Sequence, residues 1–130
     1  MLRVHARVGV STIHGLGLFA KEFIPSGTII WEFGPGFDLE IPDSAVELLS
    51  PPAQQQLRHY AEYFAEQRLF VLSGDDDRFT NHSDTPNTRQ ENTGTTYPIV
   101  FAARDISAGE EITCDYREVV AFGFRPESGS

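Results

Sequence analysis

Three short clusters carry residue types that can do chemistry. The first is His14-Gly15-Leu16-Gly17. Two glycines one residue apart let a backbone turn sharply and approach a ligand closely. A dinucleotide fingerprint would need a third glycine and a following helix. Here Leu18-Phe19-Ala20 reads as a strand and Pro25 comes soon after. The cluster is therefore either a plain turn or a turn that contacts a ligand through its main chain. The second cluster is Arg78-Phe79-Thr80-Asn81-His82-Ser83-Asp84-Thr85-Pro86-Asn87. Asn81 and His82 together offer donors and acceptors that can grip an amino acid or a purine edge, although Asn81 could equally form an Asx turn. The Asn81-His82-Ser83 sequon carries no weight without a secretory signal. The preceding Asp75-Asp76-Asp77 lacks the spacing and terminal Glu of a calcium loop and reads as a solvated turn. The third cluster, Ala108 to Tyr116, ends a strand in Asp115-Tyr116. A phenol there is either a half-buried strand terminus or a group that orients an amine or a sulfonium.

The chain that must hold these clusters has 130 residues, which predicts one domain over residues 1–124 with a polar tail at 125–130. Its 19 acidic residues against 10 basic ones give a formal charge of -9. Such a surface repels phosphate backbones, so direct nucleic-acid binding is not expected, and it attracts a basic peptide or a cation. Among the basic residues only Lys21 is a lysine. No apolar run approaches the ~20 residues of a membrane helix, and Met1 to Arg7 has no apolar signal region, so no membrane partner is expected. One cysteine, Cys114, excludes an internal disulfide and a multi-cysteine zinc site, and no metal is expected. An intracellular, cytoplasmic location follows as the default.

The supporting elements read as mainly β with short helices. Val4 to Val10 alternates at period two, Thr28 to Phe33 is β-branched and aromatic, and Leu69–Leu72 and Ile99–Ala102 are apolar runs of buried-strand length. A helix is expected over Asp43 to Leu49, with Ser44 and Glu47 at capping-box spacing. A second is expected from Ser50 as N-cap and Pro51 at the first position, with Leu57, Tyr60, Ala61 and Phe64 on one face. A near-repeat aligns Phe19 to Ile30, without gaps, on Phe101 to Ile112, matching Phe, Ala, Ile, Gly and the final Ile. Each copy reads as strand, glycine-closed turn and strand, which predicts two similar β corners.

Taken together, the G-x-G, the Arg-Phe-x-Asn-His-Ser-x-x-Pro-Asn stretch and the Ala-Gly-Glu-Glu-Ile-x-x-Asp-Tyr stretch resemble the SET domain, from about Val8 to Tyr116. The chain is similar to the minimal stand-alone members of bacteria and large viruses. The resemblance implies a β-clip fold with a C-terminal pseudoknot that brings Asn81-His82 beside Tyr116. It implies a methyltransferase that moves a methyl group from S-adenosyl-L-methionine to a lysine of a basic protein or peptide. The cofactor would be held by His14, Gly15, Leu16 and Gly17, by Asn81 and His82, and by an aromatic for which Phe122 is the choice and Phe124 the fallback. Tyr116 would be the catalytic phenol. Phe33, Asp84 and Cys114 depart from the family pattern. Asp84 and the cysteine-free tail remove a zinc site found in many members, so another segment or a homodimer must close the lysine channel. The alternative is an inactive module of this fold that binds a protein or peptide partner.

Overall fold

A computed structural model of the protein describes residues 1–116. Two strands open it: β1 (Ala6–Val10) and β2 (Leu16–Ala20) pair antiparallel from Ala6 opposite Ala20 to Val10 opposite Leu16. There follow β3 (Ile29–Trp31), β4 (Leu39–Pro42), a 3-10 turn (Asp43–Leu48), α1 (Pro51–Tyr60), β5 (Glu62–Phe64), β6 (Leu69–Leu72), β7 (Asn81–His82), β8 (Thr88–Glu91), β9 (Ile99–Ala102) and β10 (Glu111–Cys114). They form small sheets in the orders β1-β2-β10-β7, β3-β9-β8 and β4-β6-β5. The architecture is mainly β with short helices, as the sequence predicts.

The expected repeat folds as a reciprocal pair. Ile24 N–H donates to the Ile106 carbonyl at 2.8 Å and Ile106 N–H returns the bond at 2.8 Å. Gly27 N–H donates to Ala102, and Gly109 N–H to Ala20, both at 2.8 Å. Ile29 lies opposite Phe101 in β3–β9 as Glu111 lies opposite Phe19 in β10–β2. Gly27 and Gly109 adopt φ of 85° and 84°, a conformation that costs any other residue because its Cβ crowds the carbonyl. The central core is built from both copies: Ala20, Ile24 and Ile30 meet Ala102, Ile106 and Ile112, with Leu18 among them.

Two local expectations are corrected. The segment at Asp43 is a 3-10 turn entered from Pro42, with no side-chain cap, so Ser44 and Glu47 form no capping box. The helix capped by Ser50, whose side chain accepts from Ala53 N–H, stops at Tyr60. Phe64 reaches the core from β5 instead, because Glu62, Tyr63 and Phe64 pair with Val71, Phe70 and Leu69 of β6. A second apolar cluster gathers Trp31, Phe64, Val71 and Tyr97, and a third joins Leu57 and Ala61 to Val46 and Phe70. Tyr97 donates its hydroxyl to Glu40. Burial, then that carboxylate, pushes the phenol above its ordinary range.

Candidate functional site

The site is organised by β10, which sits between β2 and β7. This enclosed strand corresponds to the expected pseudoknot: Thr113 and Cys114 run parallel to Asn81 and His82, while Glu111 and Ile112 pair with β2. Asn87 holds β10 in place by imitating a strand. Its side-chain amide donates to the Glu111 carbonyl at 2.7 Å and accepts from Thr113 N–H at 2.8 Å. Thr88 Oγ1 donates to the Thr113 carbonyl at 2.7 Å. These polar side chains are buried and each has its partners, as burial requires.

Asn81 ties the first and second clusters together. Its Nδ2 lies 3.1 Å from the His14 carbonyl, 3.0 Å from the Leu16 carbonyl and 3.0 Å from Glu111 Oε2. The side chain thus braces the main chain of the G-x-G turn. Ser11 completes the brace. Its hydroxyl donates to Glu111 (2.8 Å to Oε1) and accepts from Ile13 N–H at 2.9 Å, and its own N–H donates to the Gly15 carbonyl at 2.8 Å. A Cβ at Gly17 would come within 2.4 Å of Glu111 Oε2, so any larger residue there would displace that carboxylate. Gly15 takes φ 45° at the tip.

His82 ties the second cluster to the third. Its Nδ1 accepts from Tyr116 N–H at 3.0 Å, and its Nε2 lies 3.0 Å from Asp84 Oδ1. These partners assign the proton to Nε2. Asp115 Oδ1 stands 3.8 Å from Nδ1. The Tyr116 ring lies 5.2 Å from the imidazole, and its hydroxyl donates to the Thr80 carbonyl at 3.1 Å. A narrow crevice beside β10 is walled by Trp31, Tyr60, Arg78, Thr80 and Cys114.

The structure therefore brings His14, Gly15, Leu16, Gly17, Asn81, His82 and Tyr116 into one continuous network. Phe122 and Phe124 lie outside the described residues, as does the expected tail at 125–130. Sequence reasoning passed over Ser11, Glu111, Thr80 and the pairing of Asp84 with His82. The available signal for Glu111 was its place in the Gly-Glu-Glu-Ile run that opens the strand leading to Tyr116. Ser11 carried none, because its partner is 100 positions away. The His14, Gly15 and Leu16 carbonyls are all engaged by Asn81 and Ser11, so the G-x-G turn is fixed from within through its main chain. Among the described residues, no group of His, Cys, Asp and Glu could hold a metal ion, and no helix is long and apolar enough to cross a membrane.

Comparison with known proteins shows the family to which the chain belongs. The family model for the SET domain matches residues 15–117. A relative from Plasmodium falciparum (isolate 3D7), "Putative histone-lysine N-methyltransferase 1", is 30% identical over 121 residues; the match takes in 82% of this chain and 2% of that protein. This chain thus spans a very small part of that relative's length. The crystal structure of a Plasmodium falciparum "putative histone methyltransferase" superposes with a TM-score of 0.59 at 26% identity, covering 88% of this chain and 95% of that one.

Proposed function

Because this chain belongs to the SET domain family, we propose that it is an S-adenosylmethionine-dependent methyltransferase acting on a lysine side chain of a basic protein or peptide. One observation carries the reading. Asn81 braces the His14 and Leu16 carbonyls while the adjacent His82 anchors the Tyr116 main chain, so a candidate donor surface and a phenol share one scaffold. Bound cofactor would supply an activated methyl on a positively charged sulfur. The reaction is an in-line displacement: the amine lone pair forms the N–C bond, the C–S bond breaks toward sulfur, and the amine loses a proton to solvent. The protein's task is then alignment and exclusion of water. The lysine must arrive neutral, and a desolvated crevice favours its neutral form. Trp31 and Tyr60 give that crevice aromatic walls, and the Arg78 guanidinium over the Tyr60 ring at 5.7 Å adds a positive charge that favours the neutral lysine. Tyr116, held by Thr80, steadies the transferring methyl through its phenol oxygen. The acidic surface matches a basic substrate.

The test is transfer of labelled methyl from S-adenosylmethionine to basic proteins. Tyr116→Phe is expected to lower kcat about 100-fold with cofactor affinity changed much less, since the change is to alignment rather than to binding. An undiminished rate in that variant, or no transfer to any basic protein, would sink the reading.

A further inference from the structure

The Glu111 carboxylate is not used by the reaction described above, and its surroundings are unusual for an acid. It is half-buried, and its partners are Ser11 Oγ at 2.8 and 3.0 Å and Asn81 Nδ2 at 3.0 Å. Both are neutral. Among the described residues no basic group forms an ion pair with it, whereas its neighbour Glu110 meets Arg104 at 2.6 Å. Its Oε2 also occupies the space that a Gly17 Cβ would fill, so the charge lies directly against the G-x-G main chain. A half-buried carboxylate held only by neutral donors is a fixed negative potential, and its complement is a cation that arrives with a ligand.

We propose that Glu111 is a specificity-determining residue that favours the positively charged sulfonium form of the cofactor over the neutral thioether left after methyl transfer. This rests on the functional reading above and deepens it. Each turnover removes the charge that the carboxylate attracts, so the spent cofactor is held less firmly than the fresh one. Ser11 and Asn81 serve this role as positioning residues, because they fix where the charge stands.

Titration calorimetry of the full chain with S-adenosylmethionine and, separately, with S-adenosylhomocysteine tests the proposal. Glu111→Gln keeps the shape and removes the charge. It is expected to weaken sulfonium binding about tenfold and thioether binding less than about twofold, the size of a charge pair in partly screened surroundings. Equal weakening of both ligands would make the carboxylate a mere strut and overturn the proposal, as would no weakening of either. Glu111→Asp and Ser11→Ala keep a carboxylate. Each moves the charge from its native place, so sulfonium binding should weaken more than thioether binding in both. Equal weakening would again mean a strut, and these two variants decide the matter if circular dichroism shows that Glu111→Gln does not fold. A native chain that binds neither ligand removes the functional reading and this inference with it. A native chain that binds both, with a ratio indifferent to Glu111→Gln, removes this inference alone.

Discussion

The corner at Phe19 to Ile30 and the corner at Phe101 to Ile112 share a frame and differ in what they carry. Their buried positions are the same residues: Ala20 and Ala102, Ile24 and Ile106, Ile30 and Ile112. Their turns close on the same backbone bonds. At the frame position opposite phenylalanine, the first copy has Ile29 and the second has Glu111. The exits also diverge. Pairing of β3 with β9 slips between Ile29 and Trp31, a bulge that turns Trp31 into the aromatic cluster. Pairing of β10 with β2 continues without a slip through Ile112 opposite Leu18, and the strand goes on to Thr113 and Cys114, after which the chain reaches Asp115 and Tyr116. One corner is thus spent on the core and the other on the site. Where two copies are held alike, packing explains the residue; where they part, the site does.

The strongest way to break this comparison is through the reciprocal isoleucines. Ile24 and Ile106 are 2% and 0% exposed and bond each other's backbones. Truncating either to alanine removes the same packing from the same cluster, so each should cost about 3–4 kcal/mol in a denaturant titration. Costs differing by more than about 1 kcal/mol, a spread larger than such measurements carry, would mean that the frame is not shared. A smaller effect belongs to the glycines. Gly27→Ala and Gly109→Ala meet no atom within 4 Å, so only the positive φ is penalised. Each should lose about 1–2 kcal/mol, read as matched shifts in thermal midpoint. Asparagine at either position, which tolerates this conformation, should recover part of the loss.

The frame was legible in the sequence because it is made of local signals. Apolar runs of strand length placed Leu69–Leu72 and Ile99–Ala102 at their observed bounds, and the repeat itself showed the two corners. Helix ends were less legible. Leu57 and Ala61 do lie in the core at helical spacing, but Phe64 fits the same spacing only by coincidence; its burial comes from pairing with Leu69, which periodicity does not register. The site was legible as three clusters of residue types, and their convergence was reached through family resemblance. Its supports were hidden for a physical reason. Glu111 and Ser11 meet only because β10 lies against the β1–β2 hairpin, and a contact between residues so distant in sequence leaves no spacing to read. Asp84 looked like a loss of a metal ligand, whereas in the fold its carboxylate faces His82 Nε2.

The mildest difference between the corners is electrostatic, and it carries a sign. In the second copy Arg104 and Glu110 bridge the turn at 2.6 Å; the matching residues of the first copy, Glu22 and Thr28, are not an ion pair. The Glu110 carboxyl is held below its ordinary range, chiefly by the hydrogen bond from Arg104, with desolvation opposing and the Ser107 N–H and Asn87 assisting. A carboxyl depressed in the folded state adds stability that is fully present above the unfolded value of about 4.3 and disappears as the pH falls through the folded value. Arg104→Ala should therefore lower stability at pH 7 by only a few tenths of a kcal/mol, about what an exposed pair gives. The native and variant unfolding curves should then converge as acid protonates Glu110. A gap that stayed constant in acid strong enough to protonate the carboxyl would assign the loss to packing of the arginine stem rather than to the ion pair. It would also leave the two turns electrostatically alike, with their difference confined to the strand that leads to Tyr116.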